Sequence, residues 1–189
     1  MRVAVLRGGR SSEHDVSLQS GAAVAAGLRE AGHDVVEVLI GRDGRWNADG
    51  KEVEMRAGAG LLGCEVAFPV LHGPFGEDGT VQGLLETLDV AYAGPGVLAA
   101  AVAMDKLICK RLFAFEGLPQ VEFCEVGEDG WREQAAAMPR PLWVKPSRLG
   151  SSVGISRVLS PEGELDEAIE LALGAQDCLL YTSDAADEL

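Results

Sequence analysis

The stretch Arg2-Val-Ala-Val-Leu-Arg-Gly-Gly9 decides the fold. Its first five residues form a short apolar run that is typical of a buried strand, and Gly8-Gly9 supply a turn after it. Asp15 to Glu30 then predicts a helix, and Asp34 to Ile40 predicts a second strand. The expected buried face of the helix consists of Val16, Ala23, Val24 and Leu28. This order predicts an α/β fold with an open, Rossmann-like parallel sheet.

The same layout continues to residue 96. Residues 41–60 are rich in Gly, Asp and Arg and predict a loop or a weak hairpin. The expected elements after them are a strand at Glu65–Leu71, a turn at His72–Gly79, a helix at Thr80–Leu88 and a strand at Ala91–Ala93. Because ligands collect at the carboxyl ends of such strands, we expect Gly8-Gly9, His72 and Gly94 on one edge.

The organisation changes after Gly94, and we place a domain boundary after residue 96, within the region 95–103. The second region, residues 97–177, predicts an α+β domain. Its expected elements are one or two helices in Val97–Glu116, strands at Val121–Val126, Leu142–Lys145 and Ile155–Leu159, and a helix from Ser160-Pro161 to about Leu173.

Composition excludes several classes of protein. The formal net charge of -14 argues against a nucleic-acid binder, which needs Lys and Arg against phosphates. No apolar run approaches the length of a membrane span, so we expect a cytoplasmic protein. The four cysteines (64, 109, 124 and 178) form no C-x-x-C pair, which disfavours a zinc site or a disulfide scaffold. We expect them to be reduced and mostly buried.

The first candidate site motif is Gly8-Gly-Arg-Ser-Ser-Glu-His-Asp15. It is not the G-x-G-x-x-G dinucleotide fingerprint. Glu13 has two interpretations: a carboxylate near the favourable N-terminus of the next helix, or a carboxylate that faces a ligand ammonium group.

The second candidate motif is His72-Gly-Pro-Phe-Gly-Glu-Asp-Gly79. Glu77 and Asp78 either cap the next helix or serve a site. His72 is the better functional candidate, as a donor to a carboxylate or as a proton-transfer group.

The third candidate motif is Lys145-Pro-Ser-Arg-Leu-Gly-Ser-Ser-Val-Gly154. A lysine followed by small residues with accessible backbone N–H groups suits polyphosphate binding, although the motif is not a P-loop. A flexible hairpin is the alternative. Lys106, after Met104-Asp105, supplies a second cation for the same anion.

Taken in order, five motifs resemble the D-alanine–D-alanine ligase family of the ATP-grasp superfamily. They extend over residues 2–176 and comprise Gly8–Ser17, Leu71–Gly83, Met104–Lys106, Gly117–Pro119 and Val144–Gly154. The resemblance implies a pre-ATP-grasp domain at residues 1–96 and an incomplete ATP-grasp lobe at 97–177. It also implies ATP-dependent ligation of two D-alanines through an acyl phosphate, for peptidoglycan precursors.

The resemblance also implies roles for individual residues. Glu13 would bind the ammonium group of the first D-alanine, and His72 its carboxylate and the acyl-phosphate region. Lys106 and Lys145 would contact the ATP phosphates, with Ser151, Ser152 and Gly154 in the loop that closes over them. Ser151 would also bridge Glu13 and the substrate.

The family's chain is longer, and its further part supplies the adenine hinge, a substrate-binding arginine and the ligands of Mg²⁺ or Mn²⁺. We therefore expect no metal ligand here, an inactive polypeptide on its own, and a homodimer at full length. Residues 178–189 read as a foreign tail, similar to a translated sequencing adapter. The alternative is a genuine strand at Cys178–Thr182 with a divergent end.

Three alternatives stay open at this point, two other functions and one chain without a stable fold. A variant would join D-alanine to D-lactate or D-serine. A non-catalytic nucleotide-binding module would use the same α/β layout, although plain ATP binding does not need Glu13, His72 and Ser151. A truncated chain that never folds stably is the third, because a missing lobe would leave apolar surface unburied.

Overall fold

The computed structural model describes residues 1–150, 153–159, 164–175 and 179–182, the last range by its backbone. The chain divides into two compact units, Met1–Ala101 and Val102–Leu189. The sequence placed the boundary after residue 96, directly before the helix Val97–Met104. The division between the units falls within that helix, after Ala101.

The first unit contains a mixed sheet whose parallel part follows the prediction. Its strands are β1 (Arg2–Gly8), β2 (Asp34–Ile40), β3 (Trp46–Ala48), β4 (Lys51–Glu52), β5 (Val66–Pro69) and β6 (Ala91–Tyr92). They lie in the order β4-β3-β2-β1-β5-β6, and β1, β2, β5 and β6 are parallel. Strands β3 and β4 form an antiparallel hairpin, which is one of the two predictions for residues 41–60.

Helix α1 (His14–Glu30) packs through small residues and through Val24 and Leu28 of the predicted apolar face. Its buried residues are His14, Ser17, Gly21 and Ala25. Val16 is 54% exposed and Ala23 is also exposed, so the prediction was wrong at these two positions. A Cβ at Gly21 would lie 2.5 Å from the Cβ of Arg7, and this close approach selects small side chains.

The other face of the first sheet packs against helix α2 (Thr80–Thr87). Val81 and Leu85 of α2 join Leu6, Val38 and Trp46 in one buried cluster. A second cluster, on the α1 side, contains Val3, Val5 and Ala25. The central strand β1 is therefore buried on both faces, as expected for a doubly wound sheet. Helix α3 (Val97–Met104) follows β6.

The second unit is an antiparallel sheet with helices, as predicted for an α+β domain. Its elements are α4 (Lys106–Phe115), β7 (Phe123–Glu125), α5 (Trp131–Ala137), β8 (Leu142–Pro146), β9 (Ser156–Val158), α6 (Glu164–Ala175) and β10 (Leu179–Thr182). The strands lie in the order β7-β10-β8-β9, and each neighbouring pair is antiparallel. Leu142, Val144, Val158 and Ile169 belong to its core.

Two features of the second unit differ from expectation. The seven-residue helix α5 was not predicted, because it is short and buries a single alanine, Ala135, so it leaves little periodic signal. Strand β10 pairs with both β7 and β8, so residues 179–182 form a strand in the segment where the alternative interpretation placed one, Cys178–Thr182. The predicted N-cap at Ser160 and Pro161 lies outside the described residues.

The described helices include none that is long and apolar enough to cross a membrane. Cys64, Cys109 and Cys124 are free thiols, as expected. Cys124 alone among these three is buried, and the other two are half-buried, so the expectation of mostly buried cysteines was wrong.

Candidate functional site

The carboxyl end of β1 turns sharply at Gly8. Gly8 has a φ of +95°, and a Cβ there would lie 2.4 Å from the Ile40 carbonyl oxygen, so only glycine fits. The backbone N–H of Gly8 donates to Ser17 Oγ at 2.8 Å, and the Ser17 hydroxyl donates to the Val70 carbonyl. A buried serine of α1 thus connects the ends of β1 and β5.

A second serine makes a similar connection one step beyond the strands. Ser11 Oγ donates to the carbonyl oxygen of His72 at 2.7 Å. The buried His14 ring places Nδ1 2.6 Å from the Gly9 carbonyl oxygen. The glycine-serine motif after β1 and the histidine loop after β5 therefore lie side by side, as the sheet topology predicted.

Glu13 lies between these two loops. It is the N-cap residue of α1, but its side chain makes no capping hydrogen bond. A Cβ at Gly73 would lie 2.7 Å from Glu13 Oε2, so the carboxylate packs against the residue that follows His72. No hydrogen bond or ion pair to this half-buried carboxylate occurs within the described ranges. Glu13 therefore fits both of its interpretations, because a carboxylate at a helix N-terminus can also face the ammonium group of a ligand.

His72 contributes a nitrogen without a partner to the same edge. Its Nε2 is buried and has no hydrogen-bond partner in the described part of the chain. A buried ring nitrogen without a partner is costly, and such groups occur where a ligand or a water completes the bonding.

The two acids of the histidine loop are bound within the loop itself. Glu77 Oε2 accepts a hydrogen bond from the Gly73 backbone N–H at 2.7 Å. Asp78 accepts from the N–H groups of Phe75 at 2.8 Å and Thr80 at 3.0 Å, close to the start of α2. Burial raises the pKa of Asp78, but these backbone hydrogen bonds outweigh it and hold that pKa below its ordinary value. Both carboxylates therefore order the loop.

Asp105 organises the candidate phosphate site of the second unit. It is the N-cap of α4, and Oδ1 accepts from the N–H groups of Leu107 at 3.1 Å and Ile108 at 3.2 Å. Ser147 Oγ donates to Asp105 Oδ1 at 2.8 Å, and Arg148 Nε donates to Oδ2 at 2.8 Å. One carboxylate thus joins the start of α4 to the segment after β8.

Lys106 extends the same connection. Its ammonium donates to the carbonyl oxygens of Pro146 at 3.2 Å, Ser147 at 3.3 Å and Leu149 at 2.6 Å. Burial lowers the pKa of Lys106, and the neighbouring charge of Lys145 lowers it further. Two predicted phosphate-binding cations are therefore close enough for their charges to repel each other.

Lys145 lies in β8, with its ammonium 5.6 Å from the centre of the Trp143 ring. Gly154, beyond the loop, has a φ of +69°, which favours glycine. Ser151 and Ser152, predicted to bind phosphate and substrate, lie outside the described residues.

Sequence reasoning missed Asp105, Ser147 and Arg148. An aspartate just before a helix is a known N-cap signal and was available in Met104-Asp105-Lys106. No local signal marks Ser147 and Arg148, because their bond to Asp105 joins segments 42 and 43 residues apart. In the described residues, no three His, Cys, Asp or Glu side chains converge as metal ligands would.

Two family models match the chain. The model described as the D-ala D-ala ligase N-terminus matches residues 2–61 and 51–95, and the D-ala D-ala ligase C-terminus matches residues 112–180. The boundary between the two matches lies close to the division between the two units.

Known proteins named D-alanine–D-alanine ligase align with most of the chain. The D-alanine–D-alanine ligase of Deinococcus radiodurans is 42% identical over 194 residues, covering 92% of this chain and 57% of that protein. The enzyme of the same name from Halorhodospira halophila is 45% identical over 180 residues, covering 95% of this chain and 54% of its own length. The chain thus spans a little over half the length of these curated relatives.

Solved structures agree with this relationship. The VanG D-Ala:D-Ser ligase from Enterococcus faecalis superposes with a TM-score of 0.84 at 29% identity, covering 97% of this chain and 62% of that one. D-alanyl-alanine synthetase A from Vibrio cholerae gives 0.87 at 26% identity, with 97% and 59% covered. The motifs, the two family models and these relatives together establish that the chain belongs to the D-alanine–D-alanine ligase family.

Proposed function

We propose that this chain forms the first-substrate and phosphate-binding half of an enzyme that joins two D-alanines at the expense of ATP. The names of the relatives suggest the joining of two D-alanines, and the products would be D-alanyl-D-alanine, ADP and phosphate. The observation that carries the proposal is the pair formed by Glu13 and His72 at the edge of the first sheet. A half-buried carboxylate can bind the ammonium group of an amino acid, and an imidazole nitrogen without a partner can bind its carboxylate.

Glu13 would accept hydrogen bonds from the ammonium group of the first D-alanine. Glu13 is half-buried and has no internal partner in the described chain, so the free-energy cost of replacing its bound water by a cation is small. His72 Nε2 would donate to the carboxylate of the same molecule. Holding both ends of the substrate orients the carboxylate for reaction, and orientation supplies a large part of the barrier reduction in such steps.

Lys106 and Lys145 would contact the phosphates of ATP. ATP supplies the phosphoryl group that activates the D-alanine carboxylate before the second amine attacks. The ammonium groups of Lys106 and Lys145 would neutralise the charge of the phosphates. Burial of Lys106 strengthens this effect, because less solvent screens the charges. Ser151, Ser152 and Gly154 would line the same phosphate site, and Ser151 would also meet the substrate.

Magnesium or manganese would be held elsewhere. The described residues offer no cluster of acidic ligands, and the two lysines are unsuited to a cation. We further propose a cytoplasmic homodimer that binds neither nucleic acid nor membrane. The acidic net charge of -14 supports the absence of nucleic-acid binding.

A chimera tests the proposed function. Residues 1–177 are joined to the remaining part of the Deinococcus radiodurans relative, and phosphate release from ATP is measured with and without D-alanine. We expect release that requires D-alanine, and its loss in Glu13→Gln. Glu30→Gln, an exposed acid at the other end of α1, is the matched control and should leave release unchanged.

The 189-residue chain alone should release no phosphate. Release independent of D-alanine, or a Glu13→Gln chimera as active as its parent, would contradict the proposal. A second product distinguishes the runner-up function. A D-alanyl-D-serine ligase, which the likeness to the VanG enzyme makes worth testing, would consume D-serine in preference as the second substrate.

A further inference from the structure

The first unit contains a cavity beside the proposed D-alanine site, and His72 belongs to both. Its volume is about 190 Å³, and its lining is mostly apolar. The ring of Trp46 and the aliphatic side chains of Ile40 and Leu84 contribute to its walls. Apolar cavities of about 150 Å³ accommodate a benzene ring in other proteins, so the space suits one aromatic ring.

Two polar groups accompany this apolar wall. Arg10 lines the cavity, is exposed, and places its guanidinium 4.5 Å from the centre of the Phe75 ring. Over the part of the chain that the structure describes, this guanidinium makes no ion pair with any carboxylate. His72 also lines the cavity, and its buried Nε2 has no partner there. A cationic donor and a second hydrogen-bonding nitrogen beside an apolar space favour an aromatic ligand with an anionic group.

Phe75 supports the interpretation of a built site. It has a φ of +68°, a conformation that is strained for a bulky residue. Asp78 accepts a hydrogen bond from the Phe75 N–H at 2.8 Å, which holds that backbone in place. The strained backbone conformation places the Phe75 ring at the cavity and against the Arg10 guanidinium. Backbone strain of this kind clusters at ligand sites.

We propose that the cavity binds a small aromatic carboxylate with a single ring, of which benzoate is the simplest. The ring lies among Ile40, Trp46 and Leu84. The carboxylate binds the Arg10 guanidinium, with His72 as the second polar wall. D-alanine has no ring to fill this space, so the inference extends beyond the proposed ligation, although the two sites share His72.

Benzoate is titrated into the full 189-residue chain, and the indole N–H signal of Trp46 is followed by ¹⁵N NMR. Trp46→Phe assigns that signal among the three tryptophans. We expect a saturable shift with a dissociation constant on the order of 1 mM, since a ligand of this size has few contacts. Leu84→Phe, which fills the cavity, should abolish the shift.

Arg10→Gln separates the carboxylate interaction from simple burial of the ring. Because Arg10 is exposed, its replacement should leave the fold intact and raise the dissociation constant about fivefold to tenfold. Arg56→Gln, another exposed arginine of the first unit, should leave binding unchanged. The proposal is overturned if benzoate does not move the Trp46 signal at ten times the expected dissociation constant. It is also overturned if benzyl alcohol binds equally well and Arg10→Gln has no effect.

Discussion

The ammonium of Lys106 lies 2.6 Å from the carbonyl oxygen of Leu149 and donates to two further carbonyls of the same segment. Its backbone N–H also donates to the Ser147 carbonyl, at 3.0 Å. A residue expected to bind phosphate is therefore also a structural support of the loop that carries the other proposed phosphate-binding groups. Both roles are compatible, because an ammonium group has three donors and a ligand phosphate can replace the weaker contacts.

Lys106→Met should destabilise the chain and loosen the loop after β8. The substitution keeps the apolar stem but removes the ammonium from three carbonyl oxygens, of which only that of Ser147 keeps the Lys106 backbone N–H, at a cost of about 1–3 kcal/mol in the free energy of unfolding. Urea denaturation measures the cost, and hydrogen exchange of residues 147–150 measures the loosening. Lys51→Met, at an exposed position in β4, is the control. Equal behaviour of the two variants would show that the three contacts contribute nothing.

Asp105→Asn should destabilise the second unit in a pH-dependent way. Burial raises the pKa of Asp105, but the hydrogen bonds from Ser147 and Arg148 dominate, and the pKa lies below its ordinary value of 3.8. A carboxylate with a lowered folded-state pKa stabilises above its unfolded-state pKa and loses that contribution as the pH falls through the folded value. The difference between wild type and variant should be about 1–2 kcal/mol at neutral pH.

The same difference should shrink once the pH falls below 3.8 and vanish further down, where both states are protonated. Thermal melts of the two proteins at matched pH values from neutral to acid test this. A difference that stays constant across the acid range would exclude a charge-dependent role for Asp105.

Gly73→Ala should affect activity more than stability. The residue has a φ of +66°, and a Cβ would lie 2.7 Å from Glu13 Oε2. Glu13 can rotate away, so the measured instability should be the ordinary cost of a left-handed alanine, about 1 kcal/mol. The displaced carboxylate should nevertheless reduce D-alanine-dependent phosphate release in the chimera.

Gly58→Ala is a matched control for that substitution. Its φ is +69°, and nothing lies within 4 Å of the added Cβ. It should lose the same stability in urea denaturation and retain full phosphate release. If both variants are equally active, the close contact between Gly73 and Glu13 has no role in substrate binding.

Gly21→Ala and Gly27→Ala should change stability in opposite directions, although both lie in α1. A Cβ at Gly21 would lie 2.5 Å from the Arg7 Cβ, and overpacking of this kind costs about 1–3 kcal/mol. A Cβ at Gly27 meets nothing within 4 Å, so alanine should stabilise the helix by about 0.5–1 kcal/mol. Chemical denaturation of both variants decides. Stabilisation by Gly21→Ala would show that α1 is not packed closely on β1.

The parallel strands were predictable because they are local apolar runs that end at glycine or polar residues. Asp34–Ile40 has the predicted bounds, and β1 and β5 differ from prediction only at their ends. Hydrophobicity predicted Val24 and Leu28 on the packed face of α1 but not its small residues, which a helix close to a sheet selects. Val16 is therefore exposed, whereas Ser17 and Gly21 are buried.

The sequence by itself determined the family, the order of the main elements and the types of residue that meet at each loop. Those properties depend on residues near one another in the chain, whose backbone preferences and motif spacing are legible without a structure. The tertiary structure decided which polar groups have partners. Glu77 and Asp78 are bound within their own loop, whereas Glu13 has no partner among the described residues. Lys106 and Asp105 bind a segment some forty residues away, because hydrogen bonds form between whichever donors and acceptors folding brings together.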